Sequence, residues 1–287
     1  MKKKILSVIL ALFCFVSVIS FTAFAESDPA DGETKVTVSI INGSPVLAAR
    51  SIKVTDTDGD GALTVNDALY CAHDSYYSGG AKAGYASETS QYGLSLTKLW
   101  GNTNGVYGYY LNNASPQSLL DHVSNGDTVT AFVYQDTTYF SDTYSYFDKQ
   151  TATVTEGNSV MLTLSYITLD PETWEPSVHF AEGATVTVNG EDAEYTVDKD
   201  GMVSVIFRDP GTYIVSAHSD MNIVPPVCVV TVEEAPKVNT TPPIGGDTAE
   251  EPQSYGWVVA ICAAVICSAT AVAVAVSQKN AKNGKKK

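Results

Sequence analysis

The sequence predicts a mainly β chain: an α+β domain dominated by strand, a small antiparallel β-sandwich behind it, and one apolar helix near the C-terminus. Three observations predict this. Short stretches of alternating apolar and polar residues, such as Met202 to Phe207 and Val227 to Val232, recur at about ten-residue spacing between turn sequences such as Asn189-Gly190 and Asp209-Pro210-Gly211. In the first half, similar strand patterns are interrupted by one helical stretch that starts at Val65. From Trp257 to Val276 the chain carries no charged residue at all.

Taken in order, residues 1–25 have a Lys2-Lys3-Lys4 head, an apolar run from Ile5 and a small-residue ending, Ala23-Phe24-Ala25, the pattern of a secretory signal peptide. Residues 255–276 are long enough to cross a hydrocarbon core of about 30 Å as a helix. Tyr255 and Trp257 stand at the entry and the basic tail 277–287 follows, which orients the tail to the cytoplasm. The expected product is a single-pass protein of the cell membrane with its N-terminal part outside, as on a Gram-positive-type surface. The apolar-then-basic ending is similar to a wall-sorting signal, but Thr240-Thr241-Pro242-Pro243-Ile244 does not match the pentapeptide of such signals, so membrane retention is expected. Residues 235–254, rich in Pro, Thr and acid, read as an extended spacer.

The formal charge of −15 is a sum over these parts. Eight of the lysines sit at the two ends, where there is no acid, so the exterior between them carries a net charge near −23. Such a surface repels phosphate backbones, and nucleic acid is not an expected partner. Only Cys71 and Cys228 fall in the exterior; a disulfide between them and two free thiols both fit the sequence.

The first domain is expected over 34–168. It opens with a strand at Lys35 to Ile41, a turn at Asn42-Gly43-Ser44-Pro45 and a strand near Ser51 to Thr55. An acidic loop leads into a helix from Val65 to about His73. Further strands are expected at Gly105 to Leu111, Thr128 to Gln135 and Ser159 to Tyr166, with a short helix at Pro116 to Val123. Two prolines in Asp170 to Pro176 mark the join to the second domain, 177–233.

Residues 56–67 read DTDGDGALTVND. A hard divalent cation needs several oxygens converging on one point, and acids at loop positions 1, 3, 5 and 12 with Gly at 6 supply them. Asp56, Asp58, Asp60 and Asp67 occupy those positions, Gly61 makes the turn, Ala62 offers its carbonyl and Thr64 stands at position 9. The expected cofactor is a structural Ca2+. With a strand pattern before it, the loop resembles a single dockerin-type, EF-hand-like half-hand; a second loop is absent, so docking to a cellulosome is not expected.

Three segments resemble the transcobalamin C-terminal-like domain of bacterial surface proteins: Leu99-Trp100-Gly101, the strand from Gly105 through Tyr107, Tyr109 and Tyr110 to Asn113, and Asn125-Gly126-Asp127 leading to Phe132-Val133-Tyr134. That resemblance, over about 98–166, implies a ligand-facing module and raises a corrinoid as one small ligand. Trp100, Tyr107, Tyr109, Tyr110 and Tyr134, with Tyr139, Tyr144 and Tyr146, either form a stacking surface or alternate between core and solvent. Asp198 to Phe207 and Pro210 to Ala217 resemble the Ig-like modules of bacterial surface proteins, which implies an antiparallel sandwich serving as a stalk.

No nucleophile elbow, zinc-protease motif, P-loop or dinucleotide fingerprint occurs, and the four histidines are scattered singly. The expectation is a non-enzymatic, membrane-anchored surface protein that presents a calcium-stabilised adhesion or binding module on an Ig-like stalk to an extracellular glycan, protein or small ligand. The other reading the sequence allows is a purely structural envelope component.

Overall fold

Strand β1 (Lys35–Asn42) turns at Gly43, whose φ of +72° suits a glycine, into its antiparallel partner β2 (Ser44–Lys53). This is a computed structural model, and it describes residues 32–236 apart from 92 and 104. The expected signal peptide, membrane helix, tail and nearly all of the spacer lie outside the described residues; among those described, no helix is long and apolar enough to cross a membrane.

After β2 and the acidic loop comes helix α1 (Val65–Tyr76), then the short α2 (Gly80–Gly84) and a hairpin of β3 (Ala86–Ser90) and β4 (Gly93–Lys98). Strands β5 (Tyr107–Leu111) and β6 (Thr128–Val133) complete a mixed sheet in the order β2-β1-β6-β5. β1 and β6 run parallel, which requires a long crossover, and α1 lies in it. Val65, Ala68, Leu69 and Ala72, at the spacing of one helix face, pack against Val36, Val38, Ile40, Ile52 and Val129 of the sheet. Each fully buried Val or Leu there is worth about 1.5–3 kcal/mol.

The helix expected at Pro116 to Val123 is not formed. Its backbone is spent elsewhere: the carbonyls of Asp121 and Leu119 accept the N–H groups of Val65 and Asn66, and Val123 N–H donates to Leu63. The segment thus satisfies donors at the start of α1 that no helical partner could reach. Leu119, fully buried, plugs the core beside them.

The second domain is larger than the sequence suggests. It comprises β7 (Ser145–Phe147), β8 (Thr151–Thr155), β9 (Ser159–Leu169), β10 (Pro176–Phe180), β11 (Thr185–Val188), β12 (Glu191–Thr196), β13 (Met202–Ile206), β14 (Gly211–His218) and β15 (Cys228–Glu233). One sheet centres on β9, bonded to β7, β10 and β13; the other runs β12-β11-β14-β15-β8, with β8 and β15 parallel. The strand at 159–169, expected as the last of the first domain, pairs across 159–163 with β13, and its Val160, Leu162 and Leu164 enter the second core. The break between cores therefore falls near Thr143 rather than between 168 and 177.

This strand order, with the first strand divided between two sheets and β11, β14 and β15 facing β9 and β13, is that of an Ig-like sandwich. Tyr213, at the start of β14, donates its hydroxyl to the Asp209 carbonyl (3.0 Å), the tyrosine corner of such domains. Val215, two residues on, fills with an apolar side chain the place where antibody domains carry a cysteine. Cys71 and Cys228 are both free thiols, the latter fully buried with its pKa pushed up to about 12 by burial.

The two domains meet through a third apolar cluster. Ile41 and Phe132 from the first pack with Tyr144, Ile167 and Val224 from the second, with Tyr110, Tyr134 and Tyr146 at its edges.

Candidate functional site

The acidic loop joins β2 to α1, so a strand precedes it and a helix follows. Gly59 and Gly61, at φ +80° and +86°, let the chain curl until the carboxylates of Asp56, Asp58 and Asp60 lie within 4.8 Å of one another. Oxygens around one calcium ion, at about 2.3–2.6 Å each, span at most about 5 Å, so this trio fits such an ion.

The loop's own backbone supports the arrangement. Asp56 accepts from the N–H groups of Gly59 (2.7 Å) and Gly61 (2.9 Å), bonds that hold its carboxyl below the usual range, Gly61 contributing most. Asp60 accepts from Ala62 N–H (2.8 Å), so Ala62 enters the bonding through its N–H. Asp58 is pushed the other way, first by loss of water and then by the negative charges of Asp60, Asp67 and Asp56, against the Asp60 N–H that lowers it. Three other carboxylates thus repel that of Asp58, a repulsion that a cation would relieve.

Asp67 and Thr64 are engaged elsewhere. Thr64 is the N-cap of α1 and forms a reciprocal capping box with Asp67. One carboxylate oxygen of Asp67 accepts from Thr64 N–H (3.0 Å) and its hydroxyl (2.8 Å); the other accepts from Thr57 N–H (2.9 Å) and hydroxyl. Asp67 is fully buried and pins both ends of the loop to the helix. Of the six residues expected to hold a cation, three converge and two are spent on the cap.

The five aromatic candidates divide three ways. Trp100 packs against His73 and Tyr77, with ring centroids 5.2 Å away in both cases. Tyr107 and Tyr109 project to the helix side of the sheet and line an open cleft of about 310 Å³ with Leu96 and Val106. The Tyr107 hydroxyl donates to the Asn102 carbonyl (2.8 Å). Tyr110 and Tyr134 project to the opposite face, where period two sends them, and line a second open cleft of about 310 Å³ at the domain seam. Burial raises the pKa of all four tyrosines, so their hydroxyls stay protonated.

His73, one of the scattered histidines, belongs to the core. It is fully buried, its Nδ1 lies 2.7 Å from the Leu69 carbonyl and its Nε2 accepts from Trp100 N–H (3.0 Å). Sequence reasoning missed a further feature, two buried side-chain atoms with no partner, Gln150 Oε1 and Ser216 Oγ. Both line spaces between the domains, a contact over long sequence separation that no local pattern announces.

No family model matches the chain, and no curated protein matches it either. Among solved structures, the N-terminal four Ig domains of Dscam1 isoform 7.44 share 12% identity over 71% of this chain and 45% of that one, with a TM-score of 0.22. The chain therefore spans under half the length of that structure. Tandem Ig repeats of Dlar share 15% identity over 53% of this chain and 75% of that one, with a TM-score of 0.23. Likeness at that level carries no argument, and the Ig-like assignment of the second domain rests on its own strand order and tyrosine corner.

Proposed function

We propose that the chain is a membrane-anchored cell-surface protein that works by binding rather than catalysis, presenting a calcium-stabilised module on an Ig-like stalk for adhesion or capture of an external ligand. The observation that carries this reading is the convergence of the Asp56, Asp58 and Asp60 carboxylates in a glycine-turned loop anchored to α1. Those three residues would hold Ca2+, which on an extracellular face acts as a permanent brace; sites of that kind bind at about 10⁻⁴ to 10⁻³ M. The half-buried Tyr107 and Tyr109, on a face away from the Ig-like domain, offer rigid amphipathic rings to a partner.

The test is a thermal melt of the exterior portion with EDTA and with 10 mM calcium. Binding at that affinity stabilises the fold by about 1.4–2.7 kcal/mol, so Tm should rise by about 3–10 °C, and Asp60→Ala should abolish the rise. A melting temperature indifferent to both calcium and Asp60→Ala would remove the ion from the function.

A further inference from the structure

Six large apolar side chains of the sheet centred on β9, those of Met161, Leu169, Val178, Phe180, Met202 and Ile206, are between 39% and 58% exposed. Register puts them on one face. Met202, Ser204 and Ile206 of β13 lie beside Thr163, Met161 and Ser159 of β9, and Pro176, Val178 and Phe180 of β10 lie beside Leu169, Ile167 and Ser165. These β9 positions alternate with Val160, Leu162 and Leu164, which fill the core, so the whole set points outward from the sandwich. Phe180 lies across Gly201, where an added Cβ would stand 2.6 Å from the ring, so this ring is seated on the sheet.

None of the residues at these positions is charged, on an exterior whose net charge is near −23. At the rim, Asp148 accepts from Thr163 N–H (2.8 Å) and pairs with Lys149 (3.0 Å), which leaves that edge neutral. Two copies of an acidic chain repel wherever their carboxylates face each other, so this face is where they can meet at least electrostatic cost. The area also suits a copy. At about 150–250 Å² for a whole large side chain, the exposed fractions leave roughly 600 Å² of apolar surface, at the upper end of the patches that monomers carry. The serines and threonine between them bring the face to roughly the 800 Å² per partner that a stable interface needs. The spacer that follows Pro236 is a poor cover for it, since Val238 and Ile244 are its only large apolar residues before Ser254.

We propose that this face joins two copies of the chain, the β10-β9-β13 sheets stacking face to face about a twofold axis with Met161, Phe180 and Met202 near the centre. The contact needs neither calcium nor the tyrosine clefts, so its failure would leave the proposed function standing.

The test is sedimentation velocity on the full-length protein in zwitterionic micelles, across the micromolar range in which interfaces of this size begin to associate. The parent should form a dimer. Met161→Glu and Met161→Lys should each weaken association at least about tenfold, by setting like charges against each other across the axis, with the parent's circular-dichroism spectrum retained because the position is exposed. An equimolar mixture of the two variants should recover the dimer, because opposite charges then meet. A monomeric parent, its face left to some other occupant, overturns the proposal. So does a dimer of parental affinity in both variants, which would place the contact elsewhere in the chain.

Discussion

Trp100 sits at φ +48°, a left-handed conformation that a bulky side chain adopts at a cost of about 1–3 kcal/mol. With Gly101 at φ +76° it makes a two-residue turn closed by Leu99 and Asn102, and His73 secures it. The Leu69 carbonyl can only accept and Trp100 N–H can only donate, so Nδ1 carries the proton and Nε2 the lone pair. Burial lowers the His73 pKa from 6.5 to about 4, against the Leu69 bond, which raises it. The unfolded chain takes up a proton near pH 6.5 that the fold refuses until about 4, so this contribution is complete above 6.5 and declines as pH falls. The loss approaches about 3 kcal/mol near pH 4. Urea midpoints measured from pH 7.5 to 4.5 should fall, and His73→Gln should flatten that dependence; equal slopes would assign the acid sensitivity to other groups.

Among elements, the start of α1 shows how one residue type in the right place can serve two purposes. Asp67 occupies the last position of a calcium-loop pattern and also the third position of a capping box, and the two readings share one letter in the sequence. Burial decides between them, because four hydrogen bonds from Thr57 and Thr64 satisfy its carboxylate away from solvent. Asp67→Ala should therefore cost about 2–4 kcal/mol in urea unfolding even in EDTA, since it strands buried donors. Asp60→Ala, at an exposed position, should change stability by under about 0.5 kcal/mol without calcium. Equal effects of the two in EDTA would mean that the hydrogen bonds Asp67 accepts from Thr57 and Thr64 do not hold the loop to the helix. The same element scale separates what could be read in advance from what could not. Helix α1 and strands β1, β6 and β14 follow from the apolar pattern of their sequences, although β1 and β6 turn out to be buried on both faces, one against α1 and the other at the domain seam. Strand β9 was legible as a strand but its domain was not, because alternation at Val160, Leu162 and Leu164 names a buried face and says nothing of which sheet lies opposite. The segment 116–123 failed because its backbone bonds go to α1, a partner fifty residues away in sequence.

For the molecule as a whole, the seam between domains accounts for tyrosines that composition alone could not place. Tyr144 is 3% exposed, its ring lies 3.6 Å from that of Tyr110 at an interplanar angle of 7°, and its hydroxyl donates to Asn113 Oδ1 (2.8 Å). Phe132 lies over Gly108, where an added Cβ would stand 2.2 Å from the ring. Glycine at 108 is thus a condition of the seam rather than of the strand. Tyr144→Ala should cost about 3–5 kcal/mol and split one calorimetric transition into two, while Tyr144→Phe, which loses only a hydrogen bond, should cost about 1 kcal/mol. A single unshifted transition in the alanine variant would mean that the domains are held together elsewhere. The convergence of Asp56, Asp58 and Asp60 could be read from the sequence because the three are neighbours in the chain; the space beside Ser216 could not, because its walls come from positions more than 140 residues apart.

The parallel pairing of β8 with β15 has a mechanical consequence. Register sets Thr151 beside Val229 and Thr155 beside Glu233, so the chain enters this pair at one end and leaves it at the other. A pull between the first domain and the residues beyond Glu233 thus runs along the strands, and the hydrogen bonds of the pair must give way together instead of peeling apart one by one. β15 is also held by β14 on its other side, so a force that dislodged it would have to shear two ladders at once.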